Sequence, residues 1–595
     1  MQETWVDRYS LLTAASLGFL SHIIIFIRGE WHMFGYLLVK THAIVAFALL
    51  CAGCFYYEDF GVAAHATGSV ICSYLVSLFI SIAVYRTFFH RLRRFPGPRV
   101  ASVTKLWHAW KCRNGNNHLL LEELARRYGP IIRTGPEELT IIDPAIVPLI
   151  DGPKSKCTKA AWYDIFLPQV AINTTRNSDD HSARRRVWDR GFGPTSITLY
   201  GQYAVQYADL MKAQIEDFIR QQSVHNHGHL EATINVTDWC AWFAFDVMGE
   251  FAFAKSFGML HDRKWHDKIR LLIEGMAMIG PISPVPWLAQ MMLAFRPRIS
   301  PVKKWLSMLD WCKSCMGERL QNDAGRPDVS YWLIEEWRKG FPTSDKKWLD
   351  GDAVTMVVAG SGTVATTLTF ALYELARAPA RQVRLLTELK SVNIYDRLKL
   401  QSCTNLDAII QETLRLHPPI PTGGYRVTPR EGLFFKNVYI PGNTTIVAPS
   451  YSMGRLNSCY ERSEQFLPER WTTRQDLVLD KRGFAPFSLG KFGCIGKTLA
   501  MIEIRIVLAL IVKHFEIGFA EGEKGDSLFE GLQDQFTFAP GALNLNLRIR
   551  PKDNIRRIHA MGARTLLIVV LWRVSGTLSE LTVSRDTSTR PAASM

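Results

Sequence analysis

Cysteine, internal repeats and long basic blocks are scarce in this sequence. Its 11 cysteines among 595 residues are too few for a disulfide scaffold, and no repeated unit of the solenoid kind is found. The 70 Lys and Arg outnumber the 55 Asp and Glu, yet no run of Lys and Arg exceeds three or four residues. We therefore expect no nucleic-acid partner. The net charge of +15 instead favours anionic membrane lipid or an acidic partner protein.

Charge is also absent from three runs near the N-terminus. Residues 10–27, 41–57 and 61–85 contain no Asp, Glu, Lys or Arg. A helix needs about 20 apolar residues to cross the bilayer core. The runs predict a transmembrane anchor of two or three helices within residues 1–94. Buried helices of a soluble domain are the alternative interpretation.

The charges between these runs predict the orientation of the anchor. Arg28 and Lys40 lie in the first connection, Glu58 and Asp59 in the second, and Arg86 follows the third run. The positive-inside rule places the first connection and everything after Arg86 in the cytosol. We expect an endoplasmic reticulum membrane protein with a cytosolic catalytic domain over 95–550, followed by a disordered tail over 551–595.

The body of the chain is expected to be mostly helical. Helical periodicity marks 118–128, 196–222, 236–253, 352–378 and 405–417. Short β-prone segments surround Gly-Pro or Pro-Gly turns, which predicts one hairpin over 131–142, a second joining 433–438 to 444–447, and alternating strands over 535–549. The predicted fold is mainly α with small accessory β-sheets.

One decapeptide, residues 487–496, carries the strongest chemical signal. Three glycines surround Cys494 in this segment, and a helical pattern follows it. Gly490 and Gly496 permit the close approach and unusual φ values that a metal-ligating loop needs, and a thiolate is a strong haem ligand. A buried structural cysteine is the alternative. A phosphate loop is disfavoured, because five residues rather than four separate Gly490 from Gly496.

The segment resembles the signature of the haem-thiolate monooxygenases, the cytochrome P450 superfamily. That signature reads Phe-x-x-Gly-x-Arg-x-Cys-x-Gly, and Phe487, Gly490, Cys494 and Gly496 match it. Phe492 stands where the family has a basic residue, with Lys491 beside it as a possible substitute. The resemblance covers about residues 99–550 and is closest to microsomal fungal members of secondary metabolism. It implies the cytochrome P450 fold, haem b as cofactor and Cys494 as axial ligand of the haem iron.

A charged triad strengthens the resemblance. Glu412 and Arg415 match the family's Glu-x-x-Arg helix, and their spacing places both on one helix face. Arg470 in Pro-Glu-Arg-Trp matches the third member. The resemblance implies that this triad holds the loop that carries Cys494.

The predicted helix over 352–378 contains the family's oxygen-side motif. Gly360 would let this helix pass close to the haem, and Thr363 would offer its hydroxyl to dioxygen or water. Gly362 replaces the acid that the family uses in proton delivery. We expect water and Thr363 to suffice, the alternatives being poor coupling or chemistry that depends less on this relay. A hydroxyl bonded back to the i−4 carbonyl is the purely structural interpretation of Thr363.

Three further residues match haem-propionate contacts of the family. His181 and Arg185 fit a Trp/His-x-x-x-Arg pattern that puts both on one helix face, and Arg426 matches a second arginine. Arg is suited to carboxylates because its guanidinium can bind both oxygens. Arg184 and Arg186 are expected to be solvated.

The resemblance implies a monooxygenase that inserts one oxygen atom into a small apolar substrate. No flavin or nicotinamide motif is found, so NADPH electrons must arrive through a separate NADPH–cytochrome P450 reductase. Lys491, Lys497 and Arg505 could attract its acidic face, or be merely solvated. A haem-thiolate isomerase or dehydratase that needs no reductant, and an inactive haem-binding homologue, are the alternatives.

Overall fold

The structure is a computed structural model that describes residues 7–224, 228–295, 300–322, 325, 327–340 and 345–551. Apart from Pro551, the tail predicted for 551–595 lies outside the described residues.

Three long helices form the N-terminal part. They are α1 Arg8–Ser21, which a π-helical turn extends through Phe26, α2 Gly35–Tyr56, and α3 Phe60–Val84, extended similarly through Phe89. All three are long and apolar enough to cross a membrane. The second begins at Gly35, before the predicted residue 41, so Lys40 lies inside this helix, with its ammonium 4.7 Å from the ring centre of Tyr36.

Small residues let α1 and α3 approach closely. A methyl group on Gly18 would lie 2.2 Å from the carbonyl oxygen of Tyr74. The Ser73 and Ser77 hydroxyls donate to the carbonyls of Leu11 and Ala15 at 2.9 and 2.6 Å. Such contacts are typical of helix pairs in lipid, where hydrophobic burial gives no preference for association.

Thirteen helices make up the first part of the body within the described residues, and several are single turns. They are α4 Arg99–Val103, α5 Leu106–Lys111, α6 Asn117–Tyr128, α7 Ile146–Asp151, α8 Ser178–Gly191, α9 Pro194–Ser223, α10 Val236–Phe253, α11 Met259–Asp262, α12 Asp267–Met276, α13 Ile279–Ile282, α14 Pro286–Phe295, α15 Ser300–Gln321 and α16 Val329–Arg338. Most of α10 is buried, in keeping with its nearly continuous apolar sequence.

The longest helix, α17, crosses the core. The remaining helices are α17 Lys346–Arg377, α18 Pro379–Leu389, α19 Arg397–Gln401, α20 Thr404–Leu416, α21 Ser450–Met453, α22 Lys497–His514 and α23 Asp526–Glu530. α17 packs against α10, α15, α20 and α22. It begins at 346 rather than the predicted 352, because the Asp345 carboxylate caps it by accepting from the Lys347 N–H.

Twelve short strands in the described part of the chain form four small sheets. They are β1 Ile131–Gly135, β2 Glu138–Ile141, β3 Thr158–Lys159, β4 Glu231–Asn235, β5 Tyr425–Val427, β6 Leu433–Phe435, β7 Val438–Ile440, β8 Thr445–Val447, β9 Phe515–Phe519, β10 Gln533–Gln535, β11 Thr537–Ala539 and β12 Asn544–Ile549. The sheet orders are β1-β2-β8-β5-β3, β4-β12-β9, β6-β7 and β10-β11. The mainly helical fold with small sheets is confirmed.

The strand pairing corrects one prediction. The hairpin over 131–142 is confirmed, with Ile131 opposite Ile141, but the hairpin joining 433–438 to 444–447 is wrong. β6 pairs instead with β7, Leu433 opposite Ile440, while β8 pairs with β2 and β5. The Pro-Gly turn at 441–442 therefore joins two sheets. In the same way, β11 and β12 on either side of Pro540 belong to different sheets.

Candidate functional site

A cavity of about 440 Å³ lies between α17 and the loop that precedes α22. Residues predicted for quite different roles line it together, namely His181, Arg185, Gly360, Thr363, Arg415, Arg426, Phe487, Cys494 and Gly496. The other predicted residues, Gly362, Glu412, Arg470 and Gly490, lie outside this lining. Segments more than 300 residues apart in sequence thus meet around one space.

Backbone hydrogen bonds hold the loop that carries Cys494. The Cys494 N–H donates to the carbonyl of Phe487 at 2.8 Å, and that of Gly493 to Gly490 at 3.0 Å. Gly490 has a φ of +57°, and a methyl group there would lie 2.5 Å from the carbonyl oxygen of Asp151. Glycine is therefore required at this position.

The Cys494 side chain lines the cavity among groups that stabilise a thiolate. Burial raises the pKa of its thiol, while the backbone N–H groups of Gly496 and Lys497 and the charge of Arg185 act to lower it. N–H groups at a helix start stabilise a thiolate and tune its donor strength. A residue that lines the cavity, with donors around its sulfur, is unlike a buried structural cysteine.

α17 presents its hydroxyl-rich turn to the same cavity. The Thr363 hydroxyl donates to the carbonyl of Ala359 at 3.0 Å, which is the i−4 bond expected of a helical threonine. A methyl group on Gly360 would lie 3.1 Å from Met248 of α10, so this glycine permits the close approach of two helices. At Gly362 no atom lies within 4 Å of such a methyl group, which leaves room for an acidic side chain.

Basic side chains gather along one edge around Phe492. The Arg426 guanidinium lies 4.6 Å from the ring centre of Phe492, and the Lys159 ammonium 5.4 Å. The His181 ring is 5.0 Å away, and Arg185 donates to the carbonyl of Gly493 at 2.7 Å. The aromatic ring that replaces the family's basic residue is thus held by cations.

The electrostatics of this edge favour an anionic occupant. Burial, with the charges of Lys159 and Arg185, lowers the pKa of His181 to about 3. Burial and the charge of Arg426 hold the pKa of Lys159 well below its usual range. Asp151 accepts from Arg426 at 2.6 Å and Asp189 from Arg185 at 2.8 Å, whereas no carboxylate among the described residues pairs with Lys159. A group with carboxylates would relieve this repulsion.

Lys159 was missed by the sequence reasoning. It lies in the two-residue strand β3, is only 5% exposed and donates to the carbonyl of Ile172 at 2.7 Å. Lys159 is one of three lysines in a polar stretch, and nothing in the sequence marks it as the buried one, so only the pairing of β3 with β5 reveals its place. A thiol in the cavity wall and cations along one edge form a donor set that fits an iron porphyrin with two propionates.

The charged triad connects α20 to the chain that leads to the Cys494 loop. Glu412 accepts from Arg415 at 2.8 and 2.9 Å and from Arg470 at 2.9 Å, and all three side chains are fully buried. The Leu467 N–H and the Trp471 indole N–H also donate to Glu412, each at 2.8 Å. A buried ion cluster needs such complete hydrogen bonding to be stable.

The comparisons with known proteins decide the family. A family model described as Cytochrome P450 matches residues 96–546. The chain belongs to the cytochrome P450 family. Tryprostatin B 6-hydroxylase of Neosartorya fischeri is 35% identical over 88% of this chain and 96% of its own length. The protein of the same name from Aspergillus fumigatus is 34% identical over 88% and 94%, and cytochrome P450 monooxygenase orf5 of Eupenicillium brefeldianum is 35% identical over 81% and 96%.

Membership fixes the reaction class of this P450. It is a haem-thiolate monooxygenase, an oxidoreductase that incorporates oxygen with the help of haem iron. The residues described above fit that cofactor. Away from the Cys494 loop, apolar side chains form most of the cavity wall, among them Trp162, Phe166, Phe251, Trp305, Val358 and Phe536.

One expectation about the P450's α8 is wrong. Arg184 was expected to be solvated, but it is fully buried and its Nε donates to Asp352 of α17 at 2.6 Å. The Trp188 indole and the Ile172 N–H donate to the same carboxylate at 2.9 and 3.1 Å. Arg186 is exposed, as expected. Arg184 and Arg186 carry the same charge, so the sequence does not separate them. They differ because Arg184 lies on the face of α8 that meets α17.

Proposed function

We propose that this P450 is a membrane-bound enzyme that inserts one oxygen atom from dioxygen into a C–H bond of a small apolar substrate in fungal secondary metabolism. The observation that carries the proposal is the single cavity shared by Cys494, Thr363 and the basic edge around Phe492. The names of the relatives describe hydroxylation of tryprostatin B, which supports hydroxylation as the reaction here.

Each part of the site has a proposed task. Cys494 ligates the haem iron, and His181, Arg185 and Arg426 bind the propionates together with Lys159. When bound, the haem supplies the oxygen-activating chemistry. Glu412, Arg415 and Arg470 keep the Cys494 loop in place, since they are buried and fully hydrogen-bonded.

The apolar wall orients the substrate and keeps water out. Trp162 is fixed there by stacking on Tyr425 and Phe536, with ring centres 4.7 Å apart in both pairs. Its indole N–H donates to Ser283 at 2.9 Å. A rigid aromatic surface of this kind favours a flat, apolar substrate.

Protons reach the site without an acid at position 362. The Thr363 hydroxyl accepts and passes a proton through water, and the open space beside Gly362 provides room for that water. The same departure from the family is what favours a reductant-independent isomerase or dehydratase as the second candidate.

Electrons come from NADPH through a membrane-bound cytochrome P450 reductase. Lys491 and Lys497 are exposed beside the Cys494 loop and can attract an acidic partner. Arg505 contributes less, because both of its nitrogens nearest Asp407 donate to that carboxylate, at 2.6 and 2.9 Å.

The anchor lies in the endoplasmic reticulum membrane with the catalytic domain in the cytosol. The contact between the first connection and the catalytic domain supports this, because it places both on one side of the membrane. The Nε2 atom of His32 lies 2.8 Å from an oxygen of the Asp164 carboxylate. α2 then carries the chain about 33 Å away before the second connection. Protease added to intact microsomes should cleave after Arg94; full protection of that segment would contradict the topology.

Reconstituted turnover tests the function. The full-length protein with purified reductase should consume NADPH and transfer one atom of isotopically labelled dioxygen into an apolar aromatic substrate. Product formation without NADPH would establish the isomerase or dehydratase. Haem binding without reductant consumption over a broad substrate panel would establish the inactive homologue.

A further inference from the structure

The connection between α1 and α2 binds the catalytic domain through four charged or titratable side chains, which we call the latch: Glu30, His32, Asp164 and Arg176. Arg176 donates to both Glu30 oxygens at 2.7 and 2.8 Å and to Asp164 at 2.6 Å. His32 approaches the same Asp164 oxygen to 2.8 Å. The two-pronged contact to Glu30 is the strong geometry of an arginine–carboxylate pair.

A metal ion is not needed to explain this cluster. The ligand atoms of Glu30, His32 and Asp164 lie within 4.8 Å of one another, as in a cation site. The Arg176 guanidinium already bridges both carboxylates. Burial lowers the pKa of Arg176, but its hydrogen bonds and the two acids raise it by more, so the net shift is upward. The positive charge of the cluster is therefore supplied by the chain itself.

The latch acts on the segment that walls the cavity. Asp164 belongs to the short 3₁₀ helix Ala161–Phe166, in which Trp162, Tyr163 and Phe166 line the cavity. Arg176 follows Asn173 and Thr174, which line it as well. Both catalytic-domain members of the latch are thus within three residues of the wall.

A second contact from the anchor reaches the same segment through α14. The Gln290 amide donates to the carbonyls of Asp164, Ile165 and Leu167 at 2.6, 3.1 and 3.1 Å. α2 packs on this helix, with the rings of Tyr36 and Phe295 5.0 Å apart. Residues 164–167 are therefore held by the latch on one side and by α14, which packs against α2, on the other.

We infer that the anchor is part of the substrate site: Glu30 and His32 are positioning residues that fix the cavity wall at 161–168 and so limit how ligands reach the cavity. The inference deepens the proposed function, since it takes this cavity as the substrate site. The half-exposed Glu30 and the mostly buried Arg176 make the latch strong enough to hold the wall and weak enough to open.

The test uses full-length protein in lipid nanodiscs. Glu30→Gln and His32→Ala should increase amide hydrogen exchange over 161–168 by about two- to five-fold, the range expected when a partly exposed pair is lost. The association rate of 4-phenylimidazole, an apolar azole whose binding changes the absorbance of the haem, should increase in the same variants. Glu58→Gln, which removes a charge from the exposed second connection, is the matched control and should change neither.

A second comparison separates coupling from general loosening. In an Arg176→Gln background, Glu30→Gln should have no further effect on exchange, because its partner is already gone. Equal exchange over 161–168 in wild type and Glu30→Gln, or additive effects of the two substitutions, would overturn the inference. If the azole gave no absorbance change even in wild type, haem ligation would be at fault, and the exchange data would still judge the latch.

Discussion

The Nε of Arg470 donates to Glu412 at 2.9 Å, although 58 positions separate the two residues and neither is exposed to solvent. Arg415 donates to the same carboxylate, so the single negative charge of Glu412 stabilises two buried guanidinium groups. The remaining guanidinium nitrogens donate to backbone carbonyls, so the cluster connects α20 to the loop that leads to Cys494.

Neutralising Glu412 should unfold this region. Glu412→Gln leaves two buried guanidinium groups without a counter-charge, and losing one partner of a buried pair costs about 3–5 kcal/mol. We expect lower stability in urea unfolding and loss of haem during purification. Glu469→Gln is the control, since Glu469 pairs with the largely exposed Arg384 and should cost under about 1 kcal/mol. Equal effects of both substitutions would refute the structural role.

Arg184 and Arg186 should behave oppositely despite their proximity. Arg184→Leu strands the buried carboxylate of Asp352 and should cost about 3–5 kcal/mol. Arg186→Leu changes an exposed side chain and should stay within about 0.5 kcal/mol. Urea unfolding of the two variants measures the difference. A stable Arg184→Leu protein would show that the buried pair contributes little.

Asp534 should make stability depend on pH. Burial raises the pKa of its carboxyl from 3.8 to about 6, although the Thr422 hydroxyl opposes this. The folded state therefore holds the proton more tightly than the unfolded chain. The resulting stabilisation is complete below about pH 4 and is lost as pH rises through about 6. Stability relative to Asp534→Asn should fall across this interval, while the exposed Asp526→Asn should follow wild type. A constant difference between wild type and Asp534→Asn would contradict the assignment.

An acid restored at position 362 should change little. The space beside Gly362 accommodates a carboxylate, so Gly362→Asp should fold and bind haem. Because water and Thr363 are expected to deliver protons, hydrogen peroxide released per NADPH oxidised should remain near the wild-type ratio. Thr363→Ala should raise it. A large fall in peroxide for Gly362→Asp would show instead that the wild-type enzyme is limited by the missing acid.

Hydrophobic periodicity in the sequence predicted the helices better than it predicted which strands pair. α10 begins and ends at the predicted residues, because a nearly continuous apolar segment of 18 residues is too long for a strand and forms a buried helix. The strands at 433–447 were visible, but their partners were not, since alternation does not specify which edge a strand joins. The Pro-Gly turn at 441–442 suggested a hairpin that the parallel pairing of β8 with β2 replaces.

The candidate site followed from motifs where spacing carried information. Cys494 and the Glu412 triad were recognisable because glycines and charges recur at defined intervals. The burial of Arg184 and Lys159 was not, because it depends on which helix or strand packs above them. The contact of Glu30 with Arg176 was equally hidden, since 146 residues separate them.

The central claim is that the sulfur of Cys494 binds the haem iron. The carbon-monoxide difference spectrum of the reduced full-length protein tests it most directly. Wild type and Cys54→Ser, a control at a cysteine of α2, should both show the red-shifted Soret band of an axial thiolate, and Cys494→Ala should lack it. A Cys494→Ala protein with the wild-type band would contradict the account.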